Sequence, residues 1–337
     1  MKGFCSHPFN KVHLSVSGKA FICCSAWLGL PIGNFFNEPF KDVWNSKTAF
    51  KIRKSILDGS FRFCSRNKCP RIVSGLIEKE VNNEEYLDII KEKKVFLDRG
   101  PRLISLNYDN SCNLYCESCR NKVMVIDKKR EEELIQFQDS LIKSDLFKNA
   151  KRLTISGAGE VFSSRVYMDL FTKLQNKKNP GLKITLRTNG LLLTPKNWER
   201  IKNVHYAIDL ISISIDAATE KTYRLLRRGG NFNKLLENLK FLKELKRKNF
   251  RVKLNFVVQK LNYREMLEFV KLAKKFNCDL IAFTKNFNLG NVTSEGYNEA
   301  AVHEPRHPEF LEFKKILMNP LLKDPIVKLK NLSNLLD

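Results

Sequence analysis

Cys112-Asn113-Leu114-Tyr115-Cys116-Glu117-Ser118-Cys119 directly follows an apolar run, Leu103-Ile104-Ser105-Leu106. Three cysteines at spacing CxxxCxxC can present three thiolates to one small metal centre and leave a fourth position without a protein ligand. An open coordination position is where chemistry takes place, whereas a closed one serves structure. A zinc knuckle short of one ligand is the alternative, so the rest of the chain must decide.

The chain has 337 residues, room for one large α/β domain and a small one, because single cores stop growing near roughly 250 to 300 residues. No apolar run approaches the roughly 20 residues that cross a bilayer, and the start, MKGFCSHPFN, lacks the apolar core of a signal peptide. A cytoplasmic location and no membrane partner are expected. In that reducing compartment nine cysteines read as thiolate ligands rather than disulfides. Sixty Lys and Arg against 36 Asp and Glu leave a net charge of +24, which suits an acidic partner. The basic residues are spread along the whole chain rather than gathered into a stripe, so nucleic acid is a possible partner but not the favoured one.

Six apolar runs alternate with helical patterns over residues 101–290: RLISLNYD, KRLTIS, LKITLRTNG, DLISISID, RVKLNFVVQ and DLIAFTK. The helices are expected near residues 128–147, 163–177, 194–202, 231–248 and 262–276, and Asn262 with Glu265 has the form of a capping box. Strands alternating with helices mean βαβ units and a parallel sheet. Period two puts Ser212, Ser214 and Asp216 on one face of a strand and Ile211, Ile213 and Ile215 on the other. Lys253, Asn255, Val257 and Gln259 likewise oppose Val252, Leu254, Phe256 and Val258, and Thr185, Arg187 and Asn189 oppose Ile184 and Leu186. A filled barrel would carry branched apolar residues inside. Polar inner faces instead suggest a sheet curved around a wet cavity; an open flavodoxin-like sheet is the alternative.

CxxxCxxC after the first strand of such a pattern resembles the radical S-adenosylmethionine (SAM) enzymes. The resemblance implies a partial (β/α)6 barrel, with a [4Fe–4S] cluster on Cys112, Cys116 and Cys119 whose fourth iron is chelated by SAM. Ser156-Gly157-Ala158-Gly159-Glu160 is similar to the family's GGE motif, with alanine at its middle position; Gly157, Gly159 and Glu160 would then bind the SAM amino group. Ser214 and Asp216 resemble the ribose-binding position, Arg227 aligns with an arginine that meets the SAM carboxylate, and Asn189 and Val257 fall in motifs near SAM, Val257 as an adenine contact. The residue before the last cysteine is often aromatic in the family and contacts adenine; here it is Ser118.

Residues 1–75 hold five cysteines. Val12, Leu14 and Val16, then Ala20 and Ile22 beyond Ser17-Gly18, read as a β-hairpin that brings Cys5 and Cys23 toward one end. Cys64 and Cys69, in FCSRNKCP, could complete a four-thiolate site, for which a zinc ribbon is the alternative. The spacing Cx12Gx4C, the Cys23-Cys24 pair and the later cysteines resemble a SPASM or twitch domain, which carries an auxiliary iron–sulfur cluster. It usually follows the barrel, and here it precedes it. One auxiliary [4Fe–4S] cluster on Cys5, Cys23, Cys64 and Cys69 is implied, with Cys24 able to replace Cys23.

The expected organisation is therefore a small SPASM/twitch-like domain at 1–75, a linker helix at 76–100, a radical SAM partial barrel at 101–290, and an extension at 291–337 whose prolines break it into short pieces that cap the barrel. Trp27, Trp44 and Trp198 are expected in packing, Cys278 as a small buried hydrophobe, and His205 and His303 carry no assignment. The resemblance implies a 5′-deoxyadenosyl radical that abstracts hydrogen, most often from a peptide or protein, with flavodoxin or ferredoxin as electron donor. The alternatives are a sugar- or nucleotide-type small-molecule substrate, or a zinc-stabilised nucleic-acid-binding protein without catalysis.

Overall fold

The computed structural model describes residues 3–78, 81–174, 181–245, 250–288 and 293–336. The chain divides into two compact units, Met1–Asn110 with Ile126–Ala158 and Asp169–Ile184, and Ser111–Val125 with Gly159–Met168 and Thr185–Asp337. These units cut the chain differently from the segments read along the sequence.

In the first unit β1 (Lys11–Leu14) and β2 (Lys19–Phe21) form the expected hairpin, with His13 opposite Phe21 and Leu14 opposite Ala20. Gly18 turns it with φ +75°; a Cβ there would lie 2.4 Å from Asn34 Oδ1, so only glycine fits. The strands are shorter than the alternation suggested, and Val16 falls in the turn. β3 (Gly33–Asn34) pairs with β2. On its other side β1 runs parallel to β4 (Leu103–Leu106), Val12 opposite Ile104, and β4 runs parallel to β5 (Arg152–Ile155). The cysteine-rich segment thus contributes strands to the same sheet as the first βαβ unit. Val12, Leu14, Ile104, Leu106, Leu153 and Ile155 are all buried, which is what period two requires when one face of each strand is covered.

The helix Lys47–Leu57, capped by Ser46, carries Arg53, a wholly buried guanidinium. It donates to the carbonyls of Pro8 (3.0 Å), Trp44 (2.9 Å) and Val95 (2.8 Å) and to Asn45 Oδ1 (3.0 Å), and stacks on the Trp44 ring. Burial pushes it down to about 9, and the fan of oxygens holds it in place. The result is a strap from the helix to the backbone beside Cys5 and His7. The linker's described helix is Glu84–Lys91, capped by Asn83 with Glu84 and Glu85 in its first turn; residues 79–80 lie outside the described residues.

The division between the units falls inside β6 (Lys183–Thr188). In the second unit β7 (Ile208–Ser214), β8 (Arg251–Val258), β9 (Leu280–Lys285) and β10 (Val327–Lys328) follow it in that order, each later pair parallel. β8 alternates as read, with Val252, Leu254, Phe256 and Val258 buried and Lys253, Asn255 and Val257 half-buried. The polar face is cross-linked, since Asn255 Nδ2 donates to Ser212 Oγ (2.9 Å) and to the carbonyl of Ile213 (3.0 Å). Helices Pro195–Arg200, Phe232–Leu245 and Met266–Lys275 connect the strands; the expected helical residues 175–177 and 246–248 lie outside the described residues. The C-terminal segment forms short helices, Ser294–Ala300 and Phe310–Leu317, as its prolines predict, and adds the unexpected strand β10 beside β9. Among the described residues no helix is long and apolar enough to cross a membrane.

The expected capping box at Asn262 and Glu265 does not form. Asn262 donates instead to the carbonyls of Asp216 (2.9 Å) and Val257 (2.9 Å) and accepts from Gln259 N (2.8 Å). Glu265 accepts from Ala218 N (2.6 Å), Thr219 N (3.1 Å) and the hydroxyls of Thr219 and Thr222. Both side chains are thus spent on the backbone of the 216–219 loop and the end of β8, groups that need partners of their own.

Candidate active site

The Cys112–Cys119 loop leaves the sheet after β4 and is closed at its base by paired backbone bonds, Cys112 N to Met124 O (2.8 Å) and Met124 N to Cys112 O (3.1 Å). A tight turn brings Cys119 N to Cys116 O (3.0 Å). Cys112 and Cys116 are half-buried and Cys119 is exposed. A second segment, 226–230, clamps the loop from outside. Tyr115 N donates to Arg228 O (3.1 Å), Glu117 N donates to Leu226 O (3.1 Å), and Glu117 pairs with Arg228. The Gly229-Gly230 pair makes this approach possible: a Cβ on Gly229, whose φ is +82°, would sit 3.0 Å from the Tyr115 ring, and one on Gly230 would sit 2.7 Å from the Tyr223 ring.

Glu160 is buried at the start of the loop, its own N–H donating to Ser111 O (2.7 Å). Its carboxylate accepts from Asn189 N (2.5 Å), Thr188 Oγ1 (2.7 Å) and Phe162 N (3.2 Å). Burial raises its pKa, and these donors together with Arg227 oppose that rise. Asn189 Nδ2 donates to Asn113 Oδ1 (2.8 Å), joining the end of β6 to the cysteine loop. Asp216, just past β7 in a left-handed conformation (φ +62°), accepts from Val257 N (2.8 Å) and from Arg227 Nη2 (2.5 Å). Arg227 Nη1 also reaches Cys116 Sγ (3.7 Å). Burial alone would push the Arg227 guanidinium down, but the Asp216 carboxylate and the Cys116 sulfur push it above its usual range, so it stays charged. Contacts therefore join Cys116, Arg227, Asp216 and Val257 in one chain and tie Glu160 and Asn189 to the loop that carries Cys112. Ser214 lies half-buried at the end of β7. Gly159 immediately precedes Glu160, whereas Gly157 is exposed in the first unit beside Ser156, whose φ is +64°.

Two buried polar atoms here have no protein partner among the described residues, Arg227 Nε and Tyr223 Oη. Each costs about 1–3 kcal/mol if left unpaired. Orphan donors beside three thiols are what a site for an acceptor-rich ligand and a metal cluster presents.

In the first unit Cys5, Cys23, Cys64 and Cys69 line one cavity of about 240 Å³ with Trp27 and His7. Cys23, not Cys24, faces it; Cys24 instead spends its carbonyl on the N–H groups of Trp27 and Leu28. Burial raises Cys5 and Cys23, and burial together with Cys23, Cys5 and Cys69 pushes Cys64 up to about 12. Thiols that raise one another are close together, and bound iron would lower them all. Among the described residues no three Cys, His, Asp or Glu side chains converge tightly enough to hold a single metal ion. A cuboidal cluster asks instead for sulfurs set around a space, and this cavity provides one.

The family model described as the radical SAM superfamily matches residues 106–273, and that of an iron–sulfur cluster-binding domain, SPASM, matches residues 5–70. The chain belongs to the radical SAM superfamily. It is a radical SAM enzyme, an α/β fold with a mostly parallel sheet in which the SPASM domain precedes the radical SAM domain. Its cofactors are those of the two domains: a [4Fe–4S] cluster with SAM, and an auxiliary iron–sulfur cluster. The AdoMet-dependent heme synthase of Methanosarcina barkeri is 27% identical over 54% of this chain and 49% of its own length. A GTP 3′,8-cyclase of Petrotoga mobilis is 31% identical over 50% of this chain and 51% of its own. The chain thus spans about half the length of these curated relatives. The crystal structure of Streptococcus suis SuiB bound to precursor peptide SuiA is 18% identical, with 89% of this chain and 65% of that one covered and a TM-score of 0.43.

Three residues to which the sequence reading gave no site role stand beside the two cysteine groups. Tyr223 lacks any motif; its only signal is the Gly230 that makes room for its ring. Trp27, expected in packing, lines the cysteine cavity and donates to Cys23. His7, 3.9 Å from Cys23 Sγ, lines it too, pushed down to about 4 by burial and hence neutral. By contrast His205 stacks on Trp198, and Cys278 is buried as expected.

Proposed function

We propose that the chain cleaves SAM reductively and uses the radical to take a hydrogen atom from a peptide or protein. What carries this reading is the three-cysteine loop tied, within one compact unit, to a buried carboxylate and a part-buried arginine, with unpartnered donors beside it. Cys112, Cys116 and Cys119 would hold the cluster, and when bound the cluster and SAM supply the 5′-deoxyadenosyl radical. Glu160, directly preceded by Gly159, accepts from the SAM amino group. Arg227 meets its carboxylate, Ser214 and Asp216 its ribose, and Asn189 and Val257 complete the pocket. Cys5, Cys23, Cys64 and Cys69 hold the auxiliary cluster. The domain division that goes with this is 1–75, 76–100, 101–290 and 291–337.

The peptide substrate is supported by the net charge of +24, which favours an acidic leader or partner. Flavodoxin or ferredoxin is the electron donor in this reading. A nucleotide-type small molecule is the second reading, favoured by the several GTP 3′,8-cyclases among the relatives at 24–31% identity. The deciding experiment incubates anaerobically reconstituted protein with SAM and dithionite and measures 5′-deoxyadenosine. Formation stimulated by acidic peptides supports the first reading, and formation stimulated by GTP the second. No 5′-deoxyadenosine under any condition would reject both.

A further inference from the structure

The cavity that holds Cys5, Cys23, Cys64 and Cys69 has walls of two kinds. Leu28, Ile56, Phe61 and Ile77 are apolar and buried. Walls of low dielectric disfavour added negative charge, so alone they would make an iron–sulfur cluster hard to reduce. Against them stand three polar side chains, His7, Trp27 and Arg71, and among the described residues no carboxylate lines the cavity. Arg71 is hydrogen-bonded to Cys5 and Trp27 to Cys23. The backbone N–H groups of His7 and Cys24 donate to the same two sulfurs, and the His7 ring brings Nδ1 to 3.9 Å from Cys23 Sγ.

The fold aims both side-chain donors. Arg71 lies two residues past Cys69, and its Nη2 pairs with Glu78 (3.1 Å), whose carbonyl accepts from Phe4 N (2.8 Å) beside Cys5. The Trp27 carbonyl accepts from Ser65 N (2.8 Å), directly after Cys64. Each donor thus joins an early cysteine to a late one. Glu78 already neutralises Arg71 at a part-exposed position, where an ion pair adds little stability, so the fold gains little from aiming the rest of the guanidinium at sulfur. A cluster gains one negative charge on reduction, and a cation or N–H at its sulfurs stabilises that state above the oxidised one. We propose that Arg71 and Trp27 set the reduction potential of the auxiliary cluster, holding it above the value that the apolar cavity would impose. The cluster takes one electron from a one-electron donor, dithionite in the test below, and no bond or proton changes hands. The inference rests on the four-cysteine assignment above.

The test is a potentiometric titration of the reconstituted holoenzyme followed by electron paramagnetic resonance, with bound iron counted first. Losing one donor to sulfur is expected to shift the reduction equilibrium about tenfold, which is about 59 mV for one electron. Arg71→Gln and Trp27→Phe should each lower the auxiliary potential by that amount, while the cysteine-loop cluster in the same samples holds still. Glu78→Gln should raise it, because a negative charge is removed and Arg71 stays. Opposite signs from the two members of one ion pair are what a field at the cluster produces; a purely structural pair would lose iron or leave the potential in place. Arg66→Gln removes a cation from the exposed turn between Cys64 and Cys69, outside the cavity lining, and should change nothing. Unchanged potentials in Arg71→Gln and Trp27→Phe at full iron content would overturn the proposal, as would a shift in Arg66→Gln as large as that in Arg71→Gln. Glu78→Gln alters a part-exposed side chain and decides by its sign if the other two fail to assemble the cluster. Equal iron in Cys64→Ala and the unaltered protein would instead overturn the four-cysteine assignment.

Discussion

The two cysteine groups of this chain use the same side chain in opposite settings. In the first unit four thiols line a cavity walled by Leu28, Ile56, Phe61 and Ile77, and burial and mutual proximity dominate their chemistry. In the second unit three thiols share one eight-residue loop, one of them exposed, beside a buried carboxylate and a part-buried ion pair. Four sulfurs can close a cluster's coordination, whereas three leave a corner for a ligand that the neighbouring charges can orient. Sulfur count together with the surrounding shell separates an electron-holding site from a reacting one.

The largest effect should come from the loop. Cys112, Cys116 and Cys119 replaced together by alanine should abolish 5′-deoxyadenosine formation while circular dichroism shows the fold retained; undiminished turnover would erase the distinction between the groups. Next comes Cys64→Ala, expected to lower bound iron from about eight to about four per chain while SAM cleavage without substrate survives. Loss of that cleavage would mean the first group also reacts.

Asp216→Ala leaves the Arg227 charge buried without its carboxylate and should destabilise the protein by about 3–5 kcal/mol, read from the denaturant midpoint. Tyr223→Phe sharpens the comparison at smaller scale. Deleting a hydroxyl with no protein partner should leave stability unchanged or slightly raised, yet weaken SAM about three- to tenfold. A hydroxyl serving the fold would show the opposite pair of changes.

The smallest effect concerns Lys253 on the polar face of β8, pushed down to about 8 from 10.5 by burial and by Arg187 and Lys330. Between those values the unfolded chain binds more protons at this group than the folded chain, so its contribution to stability rises with pH across that window. Lys253→Met should flatten the rise in urea-unfolding free energy between pH 7.5 and 9.5 relative to the unaltered protein.

Much of the fold was legible because it is written in short periods. The alternation in β8 and the hairpin around Gly18 appear where period two and turn chemistry put them. The failures were equally physical. Asn262 and Glu265 match a capping pattern, yet loop carbonyls and amides brought beside them by the fold take both side chains instead. β10 is a two-residue strand whose only cause is its neighbour β9, so no local pattern announces it.

The sequence by itself determined the family, the cysteine groups, the parallel α/β class and the acidic and basic residues near the loop, because ligand spacing and strand alternation are properties of neighbouring residues. Tertiary structure alone decided that Cys23 rather than Cys24 faces the cavity, that Arg227 meets both Asp216 and Cys116, and that Tyr223 stands beside the site. Arg227 and Cys116 are 111 residues apart in the chain, and nothing between them specifies a contact until the sheet closes that distance.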